Sequence, residues 1–271
     1  MASYIVLTRP SAQNLSLAQL LTPLSSAQII DLPALSISGV AWSSLPPESQ
    51  RHIQQHAQMD LIFAVSSNAV QHFCRLLQEA GLPLSAQPCY AAVGISTQEA
   101  WLQQGLSPTR VISPPNVQDN DSEALWTHLQ SLGLERFKRV LIVRAQDGRN
   151  WFTEQLLARG IHVHRLAAYQ RKASEFTEAQ MAQVQQALDA QQVTWLISSI
   201  ESAKHILQVV RSLGRLESFS QHRFVVVHPR IAQTIQDFVE QASDSRLVIK
   251  ANQFSLSNTE PEQLVANLLG T

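Results

Sequence analysis

Short apolar runs separated by stretches of helical periodicity recur along the whole chain. The pattern is clearest at 61–65, an apolar run bounded by Asp60 and Ser66. A run that short, apolar at every position, predicts a strand buried on both faces. After it Val70, Phe73, Cys74 and Leu77 fall on one face of a helix, and Gly81 supplies the stop. Only Ser66, Ser67 and Asn68 separate strand from helix. This is the first part of a βαβ unit. In open parallel sheets, ligands gather at such strand-to-helix turns.

The stretch has an echo. Trp195, Leu196 and Ile197 lead into Ser198-Ser199, then into a helix carrying Ala203, Ile206, Leu207, Val210 and Leu213, which stops at Gly214. Ser66 against Ser198 gives an offset of 132 and Gly81 against Gly214 gives 133, so one inserted residue is expected. The strand at 4–7, Thr8-Arg9 and the helix and strand up to Pro33 match the strand at 139–144, its helix to Gly160 and the strand from His162. The strand before Gly94-Ile95-Ser96-Thr97 matches the one before His228-Pro229-Arg230. Further strands are expected at 110–112 and 247–250, and helices after Ser122 and Pro261. Residues 34–47 read as a linker, followed by a polar helix to Gln58. A second linker and polar helix cover 172–190.

Alternating strands and helices with turns this short predict two similar α/β units, each a doubly wound parallel sheet. The blocks run small, large, small, large. Sequential and interleaved domains both fit that order.

Composition narrows the class. The chain has 271 residues, 45% hydrophobic and 15% charged, which is globular. No apolar run approaches the roughly 18 residues of a membrane span, and the N-terminus lacks a basic leader, so a cytoplasmic protein is expected. Cys74 and Cys89 read as two reduced core thiols. The net charge of -1 argues against broad nucleic-acid binding. It leaves room for a polyanionic small molecule, because helix N-termini bind anions through backbone amides.

The strand-to-helix turns are the chemical candidates: Thr8-Arg9, Ser66-Ser67-Asn68, the Gly94 turn with Thr97, and Ser198-Ser199. Each is also an ordinary N-cap composition. Their recurrence in two copies favours a ligand cleft. No Gly-x-Ser-x-Gly, Walker loop or dinucleotide fingerprint occurs. His52 and His56 are four apart on a helix but read as a solvated polar face. His162 and His164 share one strand face and read as structural or exposed. Tyr169 sits where a strand leaves one unit, as a hinge aromatic or a group facing the cleft.

Taken in order, Val6-Leu7-Thr8-Arg9-Pro10, Val65-Ser66-Ser67-Asn68-Ala69-Val70, Val93-Gly94-Ile95-Ser96-Thr97, Arg144 with Gly148-Arg149, Ala168-Tyr169-Gln170-Arg171 and Ser198-Ser199 resemble the uroporphyrinogen-III synthase family. The resemblance spans essentially the whole chain. It implies interleaved connectivity: one domain from 1–36 plus 172–271, the other from 37–171, with linkers near 33–40 and 167–173. It implies a monomer without metal or organic cofactor. Its substrate would be the polycarboxylate hydroxymethylbilane, bound between the domains. The preceding deaminase becomes a candidate transient partner, and neither nucleic acid nor membrane is implied.

The implied reaction is loss of water, inversion of the terminal pyrrole ring and ring closure in tetrapyrrole (haem) biosynthesis. Loss of the hydroxyl needs a proton donor. An ordinary tyrosine, with a pKa of about 10, stays protonated at neutral pH and can donate. By resemblance that tyrosine is Tyr169. Thr8, Arg9, Ser66, Ser67, Asn68, Thr97, Arg144, Ser198, Ser199 and Arg230 carry over as substrate-binding candidates. Val65 and Ile197 depart from the threonine usual in the family's turns. His228-Pro229-Arg230 stands where the family has a Gly and a Thr, and Arg230 is the replacement candidate for a carboxylate. The competing class is a two-domain anion-binding protein without catalysis.

Overall fold

A computed structural model describes residues 3–115, 122–148, 150–244, 246–258 and 260–270. Residues 116–121 of the predicted polar loop, and Arg149, lie outside them. The chain divides into two compact units, Met1–Ser36 with Lys172–Thr271 and Ile37–Arg171.

The first unit opens with β1 (Ser3–Leu7), α1 (Ser11–Leu21) and β2 (Gln28–Asp31), and β3 (Leu35–Gly39) leads into the second. There follow α2 (Pro47–Gln54), β4 (Leu61–Ala64), α3 (Ser67–Glu79), β5 (Cys89–Ala92), α4 (Ile95–Gln103) and β6 (Val111–Ile112). The second unit closes with α5 (Ser122–Ser131), β7 (Arg139–Ala145), α6 (Trp151–Leu157) and β8 (His162–Ala173). The chain re-enters the first unit along β8. It continues through α7 (Glu178–Asp189), β9 (Gln192–Ile197), α8 (Ile200–Ser212), α9 (Leu216–Ser220), β10 (Arg223–Val226), α10 (Pro229–Ala242), β11 (Phe254–Leu256) and α11 (Pro261–Leu269).

The first sheet has the order β11-β10-β9-β1-β2 with every pair parallel. The second is β3-β8-β7-β4-β5-β6, parallel from β8 to β6. Started at β9, the first sheet repeats the order of the second started at β4, with β3 as an added edge strand. The repeat seen in the sequence is therefore a repeat of topology, read from a shifted starting strand.

The uninterrupted apolar run of β4 follows from burial on both faces. Ile62 and Ala64 pack in one core with Phe73, Tyr90 and Trp101. Leu61 and Phe63 pack in the opposite core with Leu125, Trp126 and Phe152. In the first unit β9 does the same, with Trp195 and Ile197 on one side and Leu196 on the other.

Several expectations are corrected. Residues 247–250 form no strand: Ile249 is buried but Val248 is exposed. The edge strand is β11, because Lys250 N–H donates to Gln253 Oε1 in a tight turn and Phe254 then stacks on Phe224 at 5.2 Å. The expected linker at 34–47 contains β3, whose Leu35, Ile37 and Ser36, Ser38 alternate as a strand should. The polar helix stops at Gln54 and a short 3-10 turn completes the stretch. Helix α9 has no counterpart among the expected elements. His52 and His56 are not solvated, being 9% and 4% exposed. His56 Nδ1 lies 2.8 Å from Ile53 O and its Nε2 accepts the Ser85 N–H, which fixes the neutral tautomer. Burial, opposed by its backbone bonds, lowers its pKa. His52 packs against His164, ring centroids 4.0 Å apart. Among the described residues no helix is long and apolar enough to cross a membrane.

Candidate functional site

Ser66 follows β4 in extended backbone (φ -167°, ψ 165°), and its Oγ accepts the Ala69 N–H at 3.2 Å. That is a side-chain N-cap, expected of a serine before a helix. The same Oγ lies 2.9 Å from the Tyr169 hydroxyl. The tyrosine therefore meets the N-terminal end of α3, where unpaired amides give a positive potential.

Tyr169 reaches Ser66 because β8 is irregular. Arg144 pairs with Ala167, but Ala145 pairs with Tyr169, so Ala168 is extra. A bulge of one residue inverts the facing of everything beyond it. Leu166 and Ala168 face the core beneath α3, while Val163 faces the other. Strict alternation would send residue 169 with Val163. The bulge returns Tyr169 to the α3 side, where it is 4% exposed. There its ring stacks on His72, centroids 5.4 Å apart and planes 22° apart. Sequence reasoning missed His72, which carries no motif.

The remaining candidates in this unit separate by role. Ser67 and Asn68 are the first two residues of α3 and half-buried. Gly94 caps α4 without a side chain. Thr97 is in the first turn of α4 and 2% exposed, so the residue is buried at the start of the helix. Arg144 is 8% exposed and folds back on its own loop: Nε donates to Ala145 O at 3.2 Å and Nη1 to Asn150 Oδ1 at 2.9 Å. Burial, then the neighbouring Arg165, lowers its pKa; Asp147 and Tyr169 oppose this.

In the first unit Thr8 is fully buried and its Oγ1 donates to Leu196 O at 2.6 Å, tying β1 to β9. It is a structural residue. Arg9 Nε is buried with no hydrogen-bond partner among the described residues, and burial lowers the arginine's pKa. An uncompensated buried guanidinium donor is costly unless an anion completes it. Ser199, not Ser198, caps α8: its Oγ accepts Ser202 N–H at 3.0 Å and donates to Ser202 Oγ. Ser199 lies 133 positions after Ser66, as Gly214 does after Gly81, so cap matches cap and no residue is inserted. Ser198 is half-buried just before it. Arg230 is exposed in the first turn of α10, which His228 caps by accepting the Arg230 N–H at Nδ1, 3.1 Å.

The Ser199 assignment has a direct consequence. Ser199→Ala is expected to cost about 1 kcal/mol of stability through the lost cap. Turnover at fixed temperature should stay unchanged, as chemical denaturation and a rate assay would show.

Comparison with known proteins places the chain in a family. The family model for uroporphyrinogen-III synthase HemD matches residues 16–241, which takes in every candidate except Thr8 and Arg9. The uroporphyrinogen-III synthase of Salmonella typhimurium is 27% identical over 233 residues, 86% of this chain and 90% of that protein. That of Escherichia coli K12 is 26% identical over 191 residues, 70% and 75% of the two chains. In fold, the chain resembles a mutant uroporphyrinogen III synthase from the extremely thermophilic bacterium Thermus thermophilus, with a TM-score of 0.58 at 17% identity over 99% of this chain and 97% of that one. The chain belongs to the uroporphyrinogen-III synthase family.

Proposed function

We propose that Tyr169 is the proton donor in the family's reaction, the cyclisation of hydroxymethylbilane to uroporphyrinogen III with inversion of the terminal ring and loss of water. The observation that carries this is the 2.9 Å contact between Tyr169 Oη and Ser66 Oγ at the start of α3. Ser66 Oγ already accepts the Ala69 N–H, so its own proton is available to Tyr169. With Ser66 donating, the phenol proton is left for the departing hydroxyl. The phenolate that forms keeps the serine hydrogen bond and lies at the positive end of a helix. Preorganised donors aimed at developing charge are the strongest general source of catalysis.

Carboxylates of the substrate would be taken by the N-terminal turn of α3 with Ser67 and Asn68, and in the first unit by Arg9, Ser198 and Arg230. Charge-assisted bonds of this kind are shorter and stronger than neutral ones. Arg9→Met is expected to raise KM about tenfold or more, for the loss of about 1.5–3 kcal/mol of binding, with a smaller change in kcat. Arg9→Lys should recover part of it. Equal steady-state constants for all three proteins would remove Arg9 from the site.

The test of the activity is an isomer assay. Hydroxymethylbilane is generated in situ, the protein added, and the oxidised products separated chromatographically. Uroporphyrin III in excess is expected. Free bilane closes unaided to the symmetric isomer, so product of type I alone from folded protein would overturn the reading.

A further inference from the structure

We propose that His72 is a positioning residue for Tyr169, holding the phenol with a stacked ring that is itself seated against the backbone of Gly39. This rests on Tyr169 being the proton donor and adds the device that aims it.

His72, Arg75 and Glu79 lie on neighbouring turns along one side of α3. The last two draw the segment after β3 onto the helix. Arg75 Nη2 donates to Val40 O at 2.8 Å, Glu79 Oε2 accepts Trp42 N–H at 2.9 Å, and the two side chains pair at 3.2 Å. Val40 N–H in turn donates to Ala168 O, the residue before Tyr169. The segment is thus bonded to α3 on one side and to the bulge of β8 on the other. His72 fills the space this leaves. A Cβ at position 39 would lie 2.6 Å from His72 Nδ1 and closer still to the Arg75 guanidinium, so a larger residue there would push both side chains from their places.

The stack does not make a proton relay. Planes only 22° apart set the imidazole on the face of the phenol, and its Nδ1 lies on the Gly39 side. Burial, and then the Arg75 cation, lower the His72 pKa, which favours the uncharged ring. What it contributes is restriction of the tyrosine. Proton transfer is sensitive to placement, and a shift of about 1 Å can cost on the order of a hundredfold.

The experiment compares His72→Ala, His72→Phe and Gly39→Ala with the wild type in two readouts. The first is the steady-state isomer assay. His72→Ala should lower kcat about tenfold to a hundredfold with KM nearly unchanged. His72→Phe keeps a ring and should recover most of the rate. Gly39→Ala, whose Cβ would press on the Arg75 guanidinium and the His72 ring, should displace the histidine and lower kcat in the same direction as His72→Ala. The second readout is NMR of ring-labelled tyrosine, tractable because the chain has only three tyrosines. The Tyr169 resonance should shift and broaden in His72→Ala and in Gly39→Ala, and stay near its wild-type position in His72→Phe. Wild-type kcat and an unmoved Tyr169 signal in His72→Ala would overturn the proposal. A Phe variant as impaired as the Ala variant would overturn it too. Failure of the wild type to make isomer III would instead remove the proton-donor reading, and the NMR comparison would still decide whether His72 holds Tyr169.

Discussion

Tyr169→Phe should form uroporphyrinogen III about a hundredfold or more slower than the wild type, the usual loss when a general acid is removed. The fold should survive. The ring remains in the core with Leu166 and Ala168 and keeps its stack on His72. One hydrogen bond is lost, at a net cost of about 1 kcal/mol. Ser66 still caps α3 through Ala69 N–H, and only its half-buried hydroxyl loses an acceptor. Residual product should shift toward isomer I, because substrate released unreacted closes by itself. Ser66→Ala should lower the rate less, since the phenol keeps its proton but loses the donor that steadies its anion. Melting curves establish that each variant is folded, and single-turnover rates at saturating substrate isolate the chemical step. A Phe variant with the wild-type rate would reduce Tyr169 to a packing residue, and the Ser66 contact to a structural one.

The α/β class and the repeat were legible because both depend on period and spacing. Leu61, Ile62, Phe63 and Ala64 are apolar in sequence because both faces of β4 are covered, so the run could be read without knowing what covers it. Strand order was not legible. The small-large-small-large series fits two connectivities, and only the pairing of β1 with both β2 and β9 decides between them. Edge elements failed for a related reason. β11 pairs on one side only, so Phe254, Ser255 and Leu256 need not be apolar throughout, and Leu247 to Ile249 offered the stronger local signal.

At the site, composition identified the turns but not the job of each hydroxyl. Thr8, Ser66 and Ser199 look alike in sequence. Thr8 donates to Leu196 O and Ser199 bonds to Ser202, while Ser66 Oγ also reaches the Tyr169 hydroxyl. That distinction depends on which partner lies within 3 Å, and no local pattern encodes it. The bulge at Ala168 is the same kind of feature. It decides which face Tyr169 occupies, yet Ala167-Ala168-Tyr169 reads as ordinary strand. Gly39 could have been a signal. A glycine closing an alternating strand suggests a close approach of the backbone, though not which side chain approaches.

The second large effect expected is on stability, and it lies away from the site. Acidification from about pH 6.5 to about pH 4 should cost the first unit up to about 3 kcal/mol through His222 alone. His222 is 2% exposed. Its Nδ1 accepts the Trp195 Nε1–H at 3.0 Å, and Nε2 lies 3.2 Å from Ala190 O, so Nε2 carries the proton. A second proton on Nδ1 would face the indole donor and break the bond. Burial, opposed by the Ala190 carbonyl, lowers the His222 pKa from 6.5 to about 4. The unfolded chain binds its proton near pH 6.5 and the folded chain only near pH 4. Between those values the unfolded state holds more protons, so the contribution is complete above pH 6.5 and is lost as pH falls. His222→Gln keeps an acceptor for Trp195 and a donor for Ala190 but cannot titrate in this range. Urea unfolding at pH 8 and pH 4.5 should show the wild type losing about 2–3 kcal/mol more than the variant. His56, His72 and His164 are shifted in the same direction, so the difference between the two proteins isolates His222. Parallel losses would mean that the imidazole is solvated and that Trp195 is held by core packing rather than by this hydrogen bond.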